Sequence, residues 1–191
     1  MAARPGLTKE RIIERALELA EEEDLSNVTM ANLARSFSIK PPSLYNHFKN
    51  LHEIKQAMAL EAQEMLYNDL KEAVDGEGES GDRIQEMAKR YVKFASRFSG
   101  IYEASLIAPD LKERSLQQGE EPLVELLQKY VAPYNLSEQE TIHAIRGLRS
   151  LLHGLVDLNK SEGFKRSVDL EETRSYLVQT FVNGLHHNGK T

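Results

Sequence analysis

Apolar residues in this chain recur three and four positions apart almost from end to end, and no period-two alternation lasts long enough to make a strand. That spacing marks helices that each bury one face, so the chain is expected to be all-α. Start and stop signals divide it into about nine helices. Thr8 is a good cap for a first helix with Ile13, Ala16, Leu17 and Ala20 inward, and Thr29 caps a short second one carrying Met30, Leu33, Ala34 and Phe37. Asn50 with Glu53 makes a variant capping box that starts a longer helix at Leu51. The clearest break is DGEGESGD (75–82), with three glycines in eight residues. Beyond it an aromatic-rich helix runs from Ile84 through Tyr91 and Phe98 and is closed by Gly100. Residues 101–136 are interrupted by Pro109, Gly119, Pro122 and Pro133. Capping boxes at Ser137/Glu140 and Asp169/Glu172 start the last two helices, about 138–160 and 170–187.

Composition removes several functions from consideration. The 191 residues suffice for one sizeable core or a small domain joined to a larger one. There is no cysteine, which excludes disulfides, thiolate zinc sites and cysteine nucleophiles. No run of 18 apolar residues occurs, so no membrane span is expected. The opening MAARPGLTKE is too polar for a secretory signal, and a cytoplasmic location is the expectation. The six histidines (47, 52, 143, 153, 186, 187) form no His-x-x-x-His pair, so no metal site is expected. GEGESG lacks both the Lys-Ser/Thr and the preceding strand of a phosphate loop. No cofactor and no enzymatic activity are expected.

The net charge of −6 is unevenly spread. Residues 1–56 hold eight Lys/Arg and eight Asp/Glu, so the remainder carries the whole deficit. Within 35–55 four basic side chains (Arg35, Lys40, Lys49, Lys55) face one acid, Glu53. A small basic patch on an acidic body suits a DNA reader with a separate second domain, and an ordinary solvated surface gives the same pattern. The acidic side of the first helix, ending in EEED, reads as a solvated face.

SIKPPSLYNHF (38–48) puts two prolines into helical surroundings. Proline is tolerated at the first helical position and pushes its predecessor to extended backbone. The spacing therefore predicts a third helix, with Pro41 as cap and Pro42 as first helical residue. At 100° per residue Leu44 and Phe48 point inward and Pro42, Ser43 and Asn46 outward, with Tyr45 and His47 on the flanks. The link FSIK has the length of a helix-turn-helix, whose second helix presents its N-terminal residues to base edges in the major groove. Lys40, Pro42, Ser43 and Asn46 would face bases, and Tyr45, His47 and Lys49 the phosphates on either side. A helical interaction protein that does not bind DNA fits the same pattern.

Thr29, Leu33-Ala34, Ile39, Ser43-Leu44-Tyr45, His47-Phe48 and Lys49 agree in order and spacing with the tetracycline-repressor (TetR) family of bacterial regulators, and residues 8–55 resemble its DNA-binding domain. One departure is Ser38, where the family's turn has glycine; serine must then adopt a conformation that glycine takes freely. The resemblance implies a homodimer reading a palindromic double-stranded operator, with residues 1–55 as the DNA-binding domain. It implies phosphate contacts from Thr29, Tyr45, His47 and Lys49, a further one from Lys55, and an arm whose Arg4 reaches a minor groove. RGLRSLLHGLVDLNKSEGF (146–164) resembles a subset of the family with a Trp ahead of His-Gly; His153-Gly154 and Gly163-Phe164 match, and this chain has no tryptophan.

The same likeness implies that residues 56–191 bind a small-molecule effector and dimerise. Met87, Tyr91, Phe98, Tyr102, His143 and His153 are the pocket candidates, although aromatic and Met residues at helical spacing also simply build cores. The last two helices are the expected dimer interface, with Gly147 and Gly154 one heptad apart and Tyr176 and Phe181 facing the mate. The effector itself has no signature in the sequence.

Overall fold

The computed structural model describes residues 6–76, 78–108 and 122–189. Among these residues there are eight α-helices, three short 3-10 helices and no strand, and the fold is all-α as expected. The α-helices are α1 (Lys9–Glu23), α2 (Met30–Ser36), α3 (Leu51–Val74), α4 (Ser80–Arg97), α5 (Ser99–Ser105), α6 (Pro122–Val131), α7 (Glu138–Lys160) and α8 (Leu170–Asn188). The 3-10 helices are Leu25–Asn27, Pro41–Asn46 and Ala132–Tyr134. Among the described residues no helix is long and apolar enough to cross a membrane, and no cluster of His, Asp or Glu is arranged to hold a metal ion.

The capping signals act as local chemistry dictates. Thr8 Oγ1 accepts the Arg11 N–H at 3.3 Å and Thr29 Oγ1 the Asn32 N–H at 3.1 Å. Ser137 and Glu140 make the full reciprocal box. Asp169 Oδ1 takes the N–H groups of both Glu171 and Glu172. At α3, Asn50 Oδ1 accepts the Glu53 N–H at 2.9 Å, while Glu53 reaches back one residue further than expected, to the Lys49 N–H at 2.6 Å. Each satisfies N–H groups that a helix start leaves unpaired.

The chain divides into two compact units, Met1–Leu66 with Phe98–Gln118, and Tyr67–Arg97 with Gly119–Thr191. The sequence boundary at 55/56 lies in the second turn of α3. In the first unit Ile12, Ala16, Val28, Leu33, Leu44, Ile54, Met58 and Ala62 are fully shielded from solvent. Burial of this kind contributes about 1.5–3 kcal/mol for each Ile, Leu or Met side chain. Ile12 rather than Ile13 enters this core. α1 packs against both α2 and α5, so its buried arc is wide, and Ile13 is left half-buried at the edge.

Gly100 does not close the preceding helix. Phe98 breaks the chain between α4 and α5 with φ −126° and ψ 65°, and Gly100 sits inside α5. There α5 meets α1 backbone to backbone: a β-carbon on Gly100 would overlap the Ala20 carbonyl. The Ile101 N–H donates to Glu21 Oε1 at 2.6 Å at the same crossing.

In the second unit α4 packs on α6, α7 and α8. Ile84, Met87, Ala88, Val131, Leu148 and Val178 form its interior. Arg174 of α8 is buried and donates to the Gln85 carbonyl at 3.1 Å, to Gln85 Oε1 at 3.0 Å, and through two nitrogens to the Glu171 carboxylate.

Candidate nucleic-acid interface

α2 and the helix at Pro41–Asn46 are joined by a turn whose hydrogen bonds are complete. The Ser38 N–H donates to the Arg35 carbonyl at 2.9 Å, and the Ile39 N–H to the Ala34 carbonyl at 3.0 Å. These are the two bonds of a Schellman motif, with Ser38 in the left-handed position at φ 56°. The serine that stands where glycine was expected thus keeps the turn and accepts the strained backbone.

The helix that follows begins one residue earlier than the prolines suggested. Lys40 is the cap, at φ −86° and ψ 145°, and Pro41 and Pro42 take the first two helical positions. Both fit because the first internal bond is made by the Ser43 N–H, to the Lys40 carbonyl at 3.0 Å. The helix is 3-10 rather than α, which changes the facing of its side chains. At about 120° per residue Pro42 and Tyr45 share a column. Tyr45 therefore joins the outward face instead of flanking it, and is 54% exposed. Lys40, Pro42, Asn46 and Lys49 are also exposed, Ser43 and His47 half-buried. Leu44 and Phe48 are buried and anchor the segment, and Lys9 Nζ lies 5.3 Å above the Phe48 ring.

Lys49 is fixed at its backbone by the Glu53 carboxylate, and its tip reaches into solvent. Its side chain is 88% exposed and pairs with Glu53 at 3.6 Å. Glu53 is held below the ordinary carboxylate range, chiefly by the Lys49 N–H and further by the Lys49 and Lys9 charges. The Thr29 hydroxyl, half-buried, caps α2 at the same edge, and Lys55 is half-buried in the second turn of α3. Arg4 lies outside the described residues.

The remaining candidates fall in several places. Met87 and Tyr91 are buried on α4 in the second unit. Tyr102, buried, and Phe98, half-buried, belong to the first. His143 and His153 are both exposed on α7. His143 lines an open apolar groove of about 610 Å³ between α7 and α8, together with Leu151, Tyr176, Leu177 and Phe181. Tyr176 is 74% exposed there, which is unusual for a large side chain on an otherwise apolar face. Gly147 is exposed and Gly154 half-buried on α7. Ala144 and Leu151 also line this groove, and nothing in the sequence singles them out.

Residues 12–60 match the model of the bacterial regulatory proteins, tetR family, and residues 84–181 that of the tetracyclin repressor-like C-terminal domain. The chain is 35% identical over 191 residues to YobS, an HTH-type transcriptional regulator of Bacillus subtilis strain 168, covering 100% of this chain and 98% of that one. The chain belongs to the tetR family. Like other family members it is a transcriptional regulator with a helix-turn-helix DNA-binding domain, and α2 with the helix at 41–46 is that motif. Solved structures agree in fold. Apo ActR from Streptomyces coelicolor superposes with a TM-score of 0.72 at 14% identity, covering 97% of this chain and 100% of that one. A single-substitution variant of TetR from Acinetobacter baumannii AYE in complex with minocycline gives 0.69 at 17% identity, covering 95% and 98%.

Proposed function

We propose that the chain is a ligand-responsive repressor that binds a palindromic operator as a homodimer in the cytoplasm. Residues 1–55 read the DNA, and residues 56–191 bind the effector and dimerise. Lys40, Pro42, Ser43 and Asn46 approach base edges, while Thr29, Tyr45, His47, Lys49 and Lys55 hold phosphates and Arg4 reaches a minor groove. The observation that carries this reading is the outward row of Lys40, Pro42, Tyr45 and Asn46 on a short helix anchored by buried Leu44 and Phe48. Such a row has no role in the core and the chemistry of a groove reader.

Dimerisation is supported by the apolar groove of α7 and α8, where Tyr176 is largely exposed and Phe181 half-buried. The effector is a medium-sized, partly apolar molecule, like the minocycline held by the structural neighbour. Its pocket draws on Met87 and Tyr91, buried in the second unit, since Phe98 and Tyr102 belong to the first and His143 and His153 are exposed. α3 carries residues of both units in one unbroken helix, so an effector that prefers one of two arrangements shifts the spacing of the paired recognition helices.

The test is selection of duplexes from a random pool, followed by titration of the winner at two salt concentrations. The expected result is a palindromic consensus whose affinity falls about 10³–10⁵-fold between 50 and 200 mM salt, as for 6–10 phosphate contacts. Absence of enrichment from folded protein, both with and without added cell extract, would sink the operator reading.

A further inference from the structure

The acidic face of α1 is more than a solvated surface, because it borders an apolar groove. Ile13 and Leu17 of α1, Met65 of α3, and Phe98 and Ile101 form the floor of an open groove of about 740 Å³ in the first unit. Its rim is made of six glutamates, Glu10, Glu14, Glu18, Glu21 and Glu22 on α1 and Glu61 on α3. Arg15 bridges Glu18 at 2.8 Å and Glu22 at 2.9 Å, and Glu21 accepts the Ile101 N–H. These contacts answer the charge at one end. Glu10 has its own compensation, from its backbone N–H, the Thr8 hydroxyl and the nearby Lys9 and His47 charges, so the rim's remaining negative charge is centred on Glu14 and Glu61.

We propose that this groove docks a basic amphipathic helix of a partner protein, with its apolar stripe on the groove floor and its lysines or arginines against the glutamate rim. Length argues for a helix over a small cation. Glu10 to Glu22 spans about 18 Å of α1, or a little over three helical turns, at 1.5 Å per residue. A single organic cation engages one end of such a rim, whereas a helix laid along it matches both charge and apolar stripe. None of residues 29–49 lines the groove, and only its Glu10 end comes within electrostatic reach of a DNA-facing residue, His47. The proposal stands whether or not the operator reading holds.

The test uses the full chain and a fluorescein-labelled 18-residue Leu/Lys peptide with leucines at i, i+3, i+4 and i+7, read by anisotropy. A peptide of the same composition with scattered leucines is the control. The expected result is at least tenfold tighter binding of the amphipathic peptide, and at least tenfold loss on the double change Glu14→Lys, Glu61→Lys. If that variant fails to fold, Glu14→Gln with Glu61→Gln reads the same groove, with a smaller loss expected. Equal binding of both peptides, or binding that neither double variant changes, overturns the proposal as general charge attraction. Tight binding of a benzyl-alkyl-dimethylammonium cation without any peptide preference also overturns it, and assigns the groove to small cations.

Discussion

Gly100 lies so close to Ala20 that α5 and α1 touch through their backbones, and a β-carbon at position 100 would fall on the Ala20 carbonyl and within 2.7 Å of the Glu21 nitrogen. Backbone cannot swing aside as a side-chain tip can. Gly100→Ala is expected to destabilise the protein by about 1–3 kcal/mol, the range for overpacked interiors. At about 2–4 °C per kcal/mol for a chain of this size, thermal unfolding should show the loss plainly. An unchanged midpoint would mean that α5 does not hold this position against α1.

Ser38 invites the opposite change. A non-glycine residue in the left-handed region costs about 1–2 kcal/mol, and glycine's greater freedom in the unfolded chain returns about 0.5–1 of that. Ser38→Gly is expected to stabilise by about 0.5–1 kcal/mol, measured by denaturant titration, with the DNA sequence preference unchanged.

Gly154 has no intrachain reason to be glycine, since a β-carbon there meets nothing within 4 Å, and at Gly147 only the Phe181 ring at 3.8 Å. Taken alone, Gly154→Ala should stabilise α7 by about 0.5–1 kcal/mol. If two copies pair closely through this face, the same change weakens the dimer. Sedimentation at several concentrations reads the difference, and a dimer tightened by Gly154→Ala would count against close approach at this glycine.

Lys49→Ala removes an exposed charge and leaves the Lys49 N–H bond to Glu53 in place. If that ammonium group meets a phosphate as proposed, all duplexes should bind more weakly by the same factor, and the salt slope should fall by about one. A changed base preference at one operator position would instead make Lys49 a base reader.

Arg174 holds the Glu171 carboxyl below its ordinary value of 4.5, mainly through their hydrogen bonds. A carboxylate whose folded pKa is depressed adds stability that is full above the unfolded pKa and is lost as pH falls through the folded value. Arg174→Met should therefore flatten the fall of the thermal midpoint below about pH 4.5. It should also cost about 2 kcal/mol at neutral pH, since the hydrogen bonds from the charged guanidinium to Gln85 disappear. A midpoint profile parallel to that of the parent protein would rule out the Glu171 linkage.

Much of the local structure was legible because its causes lie within a few residues. Thr8, Thr29, Asn50, Ser137 and Asp169 each cap a helix whose N–H groups are two or three positions away. The left-handed backbone at Ser38 follows from the turn in the same way. The recognition segment falls where the prolines put it, but one residue earlier and as 3-10 instead of α. Adjacent prolines mark a helix start without saying which of them is the cap, and the difference moves Tyr45 from a flank to the outward face. Gly100 reads as a terminator in the sequence because a helix-ending glycine and a packing glycine look alike there.

What the sequence by itself determined is the all-α class, the capped helix starts and the order of polar residues along the reader segment. Tertiary structure alone decided which glycine is a contact and which is open, because the partner of Gly100 is 80 residues away in the chain. It also decided that Ile13, Leu17, Met65, Phe98 and Ile101 meet beside the glutamates of α1. Periodicity fixes one helix's apolar face, but which residues join across helices depends on close packing between segments far apart in sequence, and that is a property of the folded chain.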